Sequence, residues 1–295
     1  MDPLPCKHTH WTMSFHTRLN NLRLLLRDIR HCQQQRNNNT SNTEETSLLH
    51  QLYASLASSD GNEMLDYDSR MFIEILSSEG AIDTIIEAAR RSTISNTGTG
   101  SSIGSLITAG AHAGTRGQRP ILAHRVCAVL TLFAQEAAQR VAETGGFHAI
   151  LDIMQAYRES EQVQEACIVA LVELARIYGR SPKANVTSTM IINSVLDSLE
   201  CHKYSPTIFY VACKALKISC LLGIRVEDEN LAKRAQRNIL DGIMLFPSNL
   251  RCQAVGCDAL STWVGEELAA SMIQQMALTL VTACSILRQA MGCDD

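Results

Sequence analysis

The chain has few aromatic residues: Phe, Trp and Tyr make up 5% of its 295 residues. Its apolar fraction of 46% comes largely from Ala, Leu and Ile, which suits close packing of helix on helix, and few residues favour strands. The chain also lacks a run of about eighteen uninterrupted apolar residues, so we expect no membrane-spanning helix. These absences predict an all-α protein that is long enough to bury a sizeable core.

No apolar signal segment follows Met1, and no Cys-x-x-Cys pair occurs among the eleven cysteines. We therefore expect a reduced compartment and a cytoplasmic location. Cys127, Cys213 and Cys257 each lie three residues before a leucine of a recurring pattern, which predicts that they act as small apolar core residues.

The sequence contains no catalytic or phosphate-binding motif in its usual context. Gly100-Ser101-Ser102-Ile103-Gly104 has the spacing of a Gly-x-Ser-x-Gly elbow but follows no predicted strand, and no Gly-Lys-Ser/Thr loop occurs, so we expect no enzyme activity and no cofactor. The net charge of −4 argues against nucleic acid as the main ligand, because phosphate binding needs clustered basic residues. Near the N-terminus lie six potential zinc ligands whose spacing fits no zinc finger, so we expect no metal: Cys6, His8, His10, His16, His31 and Cys32.

An amphipathic helix is predicted within residues 1–32, with leucines on one side and arginines on the other. Three roles remain open for it: a cap on the following helices, a helix that binds a partner or a membrane surface, or a mitochondrial transit peptide. The polar residues 33–46 predict a disordered linker, and residues 47–295 predict one helical domain. Residues 92–118, rich in Gly, Ser and Thr, interrupt that domain as a predicted flexible insertion.

The stretch Gly145 to Gly179 contains a complete helical unit. A Gly-Gly break precedes an apolar run at helical spacing, and a polar turn then leads to a second amphipathic helix. Final helices that resemble this second one carry a leucine in the same place, and the leucines lie 41, 45 and 44 residues apart: Leu130, Leu171, Leu216 and Leu260. We also expect a degraded copy of the unit before the insertion, in which Gly80 matches Gly146 and Ile75 matches Val141.

The unit resembles an armadillo repeat, on the strength of three features: the Gly-Gly pair, Val163-Gln164-x-Ala166, and Ala170-Leu171-x-x-Leu174-Ala175. The leucine intervals fit the armadillo and HEAT class. The resemblance implies a right-handed α-solenoid of about four armadillo-type repeats, preceded by the N-terminal helix.

In armadillo proteins the final helices line a concave groove that binds extended peptides. The resemblance places these residues there, joined by Ala254: His124, Ala128, Leu132, Glu165, Val169, Glu173, Tyr210, Lys214, Ile218, Asp258 and Thr262. The Trp and Asn that nuclear-import adaptors carry at such positions are absent, which argues against a basic nuclear-localisation peptide as ligand. Trp263 is predicted to be a core residue.

We therefore expect a non-catalytic scaffold or adaptor that binds other proteins. Two alternatives stay open: a co-chaperone that acts as a nucleotide-exchange factor for a heat-shock chaperone, and a structural subunit of a cytoskeletal or ciliary assembly. The apolar residues after Trp263 predict a closing helix through which the chain could oligomerise. Membrane contact is expected, if at all, only through the basic N-terminal helix.

Overall fold

A computed structural model describes residues 8–34, 41–57, 67–94, 118–178, 185–221, 229–264, 272–274 and 278. Throughout these ranges the regular secondary structure is α-helical, as the composition predicts. The long helices are α1 (His8–Gln34), α2 (Ser41–Leu56), α3 (Tyr67–Ser78), α4 (Ala81–Ile94), α5 (Gln118–Glu143), α6 (Gly146–Ala156), α7 (Glu161–Tyr178), α8 (Asn185–Cys201), α9 (Pro206–Leu221), α10 (Glu229–Leu245) and α11 (Leu250–Val264).

The chain divides into two compact units. Unit 1 covers residues 1–187 and holds α1 to α7, whereas unit 2 covers residues 188–295 and holds α8 to α11 except for the first residues of α8. In unit 1, α5 packs against α2, α3, α4, α6 and α7. In unit 2, α9, α10 and α11 pack against one another.

The N-terminal helix α1 belongs to the core of unit 1. Its apolar stripe of Leu19, Leu22, Leu26 and Ile29 is at most 5% exposed, and it packs against α2, α3 and α4. Arg30 donates from Nε to Thr84 Oγ1 at 2.8 Å, so a basic residue of this helix also faces a neighbouring helix. Of the three roles considered for this segment, the packing favours a cap on the helices that follow.

The predicted linker 33–46 requires correction at both ends, because α1 continues to Gln34 and α2 already begins at Ser41. Gln33 and Glu45 are buried, and Gln33 Nε2 donates to Glu45 Oε1 at 2.8 Å and to the Thr84 carbonyl at 3.0 Å. Arg91 in turn donates to the Gln33 carbonyl. These hydrogen bonds satisfy the buried Gln33 amide and Glu45 Oε1, whereas Glu45 Oε2 is buried without a hydrogen-bond partner among the described residues. Residues 35–40 lie outside the described part of the chain.

Two glycines with positive φ introduce α4 and α6. Gly80 has φ +80° and Gly145 has φ +93°, a left-handed conformation that favours glycine. The structure therefore aligns Gly80 with Gly145, and the expected match of Gly80 with Gly146 is wrong by one residue. Gly146 packs so closely on Val141 that an added Cβ would overlap it, whereas Ala81 fills the equivalent place before α4.

The predicted insertion 92–118 begins later than expected, because α4 continues to Ile94. Ser92 is buried, and its carbonyl accepts a hydrogen bond of 2.6 Å from the Tyr157 hydroxyl. Residues 95–117 lie outside the described part of the chain. The last turn of α4 is therefore anchored by a buried tyrosine that directly follows α6.

Helix α5 is continuous but kinked. Ala137 has non-helical φ and ψ of −130° and 31°, which kinks the helix near its end. Among the described residues one stretch, Pro120–Glu143 within α5, is long and apolar enough to cross a membrane by length and composition. Five helices of unit 1 pack against α5, which accounts for its apolar residues without a membrane.

Three helical hairpins close on the same backbone turn: α6–α7, α8–α9 and α10–α11. The amide of Ser160 donates to the Tyr157 carbonyl at 3.0 Å. The same bond recurs from Ser205 to His202 at 2.9 Å and from Asn249 to Phe246 at 3.1 Å. These turns are 45 and 44 residues apart, as are Leu171, Leu216 and Leu260. Those leucines and Leu130 are fully buried.

Apart from residues 272–274 and 278, the chain beyond Val264 lies outside the described part. The predicted closing helix and its role in oligomerisation therefore stay predictions.

Candidate partner-binding faces

The final helices α5 and α7 pack side by side in unit 1. The Sγ atoms of Cys127 and Cys167 lie 3.3 Å apart between them, and both residues are fully buried and free. Burial raises the pKa of the Cys167 thiol well above its ordinary value, with a further contribution from Cys127. Cys213 is likewise buried and free, whereas Cys257 is half-buried. Cys127 and Cys213 thus act as small core residues, and Cys257 does so only in part.

On α5 the predicted binding positions differ in exposure. His124 and Ala128 are half-buried, but Leu132 is only 8% exposed. Leu132 therefore offers little surface to a partner and contributes to the core instead. Burial, followed by the positive charge of Arg125, lowers the pKa of His124. The half-buried position of His124 thus favours the neutral imidazole.

On α7 the three predicted positions are all half-buried: Glu165, Val169 and Glu173. Burial, followed by the charge of Glu161, raises the pKa of the Glu165 carboxyl. Glu173 forms an ion pair with Arg176 of the same helix, with an N–O distance of 3.1 Å. This part of unit 1 thus presents a neutral to acidic surface.

Unit 2 presents a different surface, where two cations contact the ring of Tyr210 of α9. Lys214 Nζ is 4.5 Å from the centroid of its ring, and Arg251 Cζ of α11 is 4.7 Å from the same centroid. The neighbouring Lys214, and then Arg251, lower the pKa of the Tyr210 hydroxyl. Lys214 and Arg251 are exposed, and Tyr210 is half-buried. We call these three residues the Tyr210 cluster.

Seven residues further along both helices, Lys217 Nζ of α9 forms an ion pair of 2.6 Å with Asp258 Oδ2 of α11. Because Tyr210 meets Arg251 and Lys217 meets Asp258, α9 and α11 run parallel. Thr262 donates its hydroxyl to the Asp258 carbonyl at 2.8 Å, a bond within its own helix. Ile218 is half-buried on the same face, and Ala254 is exposed between Arg251 and Asp258.

Trp263, predicted as a core residue, is half-buried, and its Nε1 donates to the Leu216 carbonyl at 3.0 Å. It therefore ties α11 to α9 with one edge of the indole while the rest stays accessible. Arg251 and Lys217 were not predicted as site residues. In both contacts, Tyr210 with Arg251 and Lys217 with Asp258, the partners lie 41 residues apart. This spacing can be recognised only when it is known that α9 packs against α11.

The N-terminal histidines and cysteines do not assemble within the described structure. His16 and His31 are exposed, whereas Cys32 is buried, and its pKa is raised by burial and then by Glu44. Cys6 lies outside the described residues, and so do the side chains of His8 and His10. Over the described ranges, no group of three or more His, Cys, Asp or Glu side chains is arranged to hold a metal ion.

Nothing matched this chain in comparisons with protein-family models, with curated proteins and with solved structures.

Proposed function

We propose that this protein is a non-catalytic scaffold or adaptor that binds a segment of another protein along its final helices. In this proposal the hairpins stack as a right-handed solenoid of about four armadillo-type repeats, and the final helices line its concave side. Each hairpin is too small to bury its own apolar face, so stacking against neighbours would complete the core.

The observation that carries the proposal is the contrast between adjacent positions on the final helices. The leucine common to each of them is fully buried, while the residues two positions before and after it keep exposed surface, with the exception of Leu132. The exposed positions mix apolar, acidic, basic and aromatic side chains. Such a stripe suits a peptide or helix, whose binding combines buried apolar area with a few charged contacts.

We would test the proposal by affinity capture from native cells with the full chain and a groove variant that carries Val169→Arg, Glu173→Arg and Ile218→Arg. All three positions are half-buried, so the arginine side chains can reach solvent and thermal denaturation should confirm that the variant folds. We expect the variant to lose proteins that the unmodified chain captures.

A matched control carries His148→Arg, Asp152→Arg and Met244→Arg. It makes the same change in charge, also in both units, but at exposed positions on α6 and α10. The proposal predicts that this control captures the same proteins as the unmodified chain. If the groove variant retains them too, or if both variants lose them equally, the final helices are not the binding site.

A further inference from the structure

The Tyr210 cluster holds two exposed cations close together. The two distances to the Tyr210 ring add up to about 9 Å, which is the largest possible separation of Lys214 Nζ and Arg251 Cζ. Because this upper limit is close to the Debye length of about 8 Å at physiological ionic strength, one bound anion can interact with both charges before solvent ions screen them. Among the described residues, no acidic side chain forms an ion pair with either cation.

We propose that the Tyr210 cluster binds a carboxylate side chain of an acidic peptide segment. The cluster would specify the partner of the function proposed above, on which this inference rests. Lys214 and Arg251 would both attract the carboxylate, and Arg can donate two parallel hydrogen bonds to it. This attraction between opposite charges is the source of the affinity.

The neighbouring residues favour a peptide over an isolated phosphate. Asp258 already holds Lys217 on the same face, so a carboxylate is the anion that this row of side chains accommodates. Ala254 and Ile218 add accessible apolar surface beside the cations, which the side chains of a peptide can cover but inorganic phosphate cannot.

The dimensions of the site also suit an extended segment. A step of seven residues along a helix is about 10 Å, and it separates the Tyr210 cluster from the Lys217–Asp258 pair. An extended chain rises about 3.3 Å per residue, so roughly three residues span that distance. We expect one acidic side chain of the segment at the cluster and its neighbours over Ala254 and Ile218.

The test measures binding of a fluorescent deca-glutamate peptide to the full chain by anisotropy, with a deca-lysine peptide as the opposite-charge probe. The site variant carries Lys214→Gln and Arg251→Gln, and the control carries Lys233→Gln and Arg237→Gln. Both variants remove two positive charges from exposed residues of unit 2, and the control pair lies on α10.

We expect the unmodified chain to bind deca-glutamate and not deca-lysine, with an affinity that falls as salt is added. The site variant should bind at least about tenfold more weakly, since each charge-assisted contact contributes substantially. The control should stay within about twofold of the unmodified chain. A Tyr210→Phe variant tests the hydroxyl separately and should weaken binding by a smaller factor than the site variant.

Three results would overturn the inference: no binding of deca-glutamate, an equal loss in the site and control variants, or displacement by inorganic phosphate at equal concentration. The last result would identify a phosphate site instead. If the inference fails while capture of proteins still depends on Val169 and Ile218, the proposed scaffold function survives without this specificity. If capture also becomes independent of those residues, both proposals fail.

Discussion

The hairpins α6–α7 and α8–α9 close on the same backbone turn, but different interactions hold them. Gln164 of α7 donates through Nε2 to the carbonyls of Met154 and Tyr157, at 2.8 and 3.0 Å, and ties its own hairpin together. Gln253 makes the equivalent bonds in α10–α11, to Ile243 at 2.6 Å and to Phe246 at 3.0 Å. In α8–α9 the same position is Phe209, which has no side-chain donor.

Phe209 instead packs against the next hairpin. An added Cβ on Gly242 would overlap its ring, and one on Gly256 would lie 3.1 Å from its Cζ. The ring also lies 5.7 Å from Phe246, between centroids. At this position α6–α7 and α10–α11 thus each have a glutamine that bonds within its own hairpin, whereas α8–α9 has a phenylalanine that packs against the α10–α11 hairpin. A common turn therefore does not require a common means of stabilisation.

We expect Gly242→Leu to have the largest effect on the packing between α8–α9 and α10–α11, because the leucine would occupy the space of the Phe209 ring. We expect the free energy of unfolding to fall by about 3 kcal/mol, the upper range for overpacking. Urea unfolding followed by circular dichroism would measure it. In the double variant with Phe209→Ala, the leucine gains room, so the combined loss should be smaller than the sum of the single losses. An additive result would mean that the two residues do not share one space.

Gln164→Leu tests the two hydrogen bonds that Gln164 donates within the α6–α7 hairpin. The change removes both hydrogen bonds and leaves two buried carbonyls without this donor, so we expect a loss of about 2 kcal/mol in the free energy of unfolding. Urea unfolding would measure it against Gln162→Leu, an exposed glutamine of the same helix. Equal effects of the two substitutions would show that the tie contributes nothing of its own.

The hydrogen bond between Gln33 and Glu45 differs from those of Gln164 and Gln253, because the Glu45 carboxyl can carry a charge. Burial raises the pKa of this carboxyl, partly offset by the Gln33 hydrogen bond and by Arg91. The folded protein therefore binds the proton more tightly than the unfolded chain does. It follows that the free energy of unfolding falls as the pH rises from the ordinary glutamate pKa of about 4.3 through the raised value.

Glu45→Gln should remove this fall, so that the variant is as stable as the unmodified chain at pH 4 but more stable, by about 1 kcal/mol, at pH 7. Urea midpoints measured from pH 4 to pH 8 would check the trend. Glu44→Gln, one residue earlier and exposed, serves as the control and should show the same fall as the unmodified chain, because it keeps Glu45. A Glu45→Gln variant whose stability runs parallel to that of the unmodified chain across this range would contradict the assignment.

We expect the smallest loss of stability when the ion pairs between α8 and α10 are removed. Arg234 pairs with Asp197 at 2.6 Å and with Glu200 at 2.7 Å, and so adds to what Phe209 contributes between the same two hairpins. Arg234→Ala should cost about 1 kcal/mol at low salt and less at 1 M salt, because partly exposed ion pairs are screened. Thermal unfolding at both salt concentrations would measure it, with Arg237→Ala as the control. A loss that salt does not reduce would indicate packing and not charge.

Much of the helical framework could be predicted from the sequence, because apolar periodicity reports directly which side of a helix is buried. The four leucines of the final helices are the clearest case. A match of Gly80 with Gly146 gives the wrong register before α4, because the presence of glycine alone does not fix the alignment. What matters physically is the left-handed conformation, which Gly80 shares with Gly145.

Other features depend on contacts between elements that are distant in sequence. The sequence predicts that Leu132 faces a partner. In the structure α5 packs against five other helices of unit 1, so less of the α5 surface is exposed and Leu132 is buried. The segment around Glu45 has no apolar residue and was predicted to be disordered. Its order depends on Gln33 and Arg91, whose proximity no local pattern reveals.

The continuity of α5 limits how this chain can change in length. Residues 138–143 continue α5 from the kink at Ala137 to a turn of only two residues, Thr144 and Gly145, before α6 begins. Since one residue turns an α-helix by about 100°, a single insertion or deletion there would rotate Val141 away from the core and α6 with it. Insertion or deletion of a single residue in this short stretch should therefore disrupt the packing of unit 1, even where substitutions at its exposed positions are tolerated.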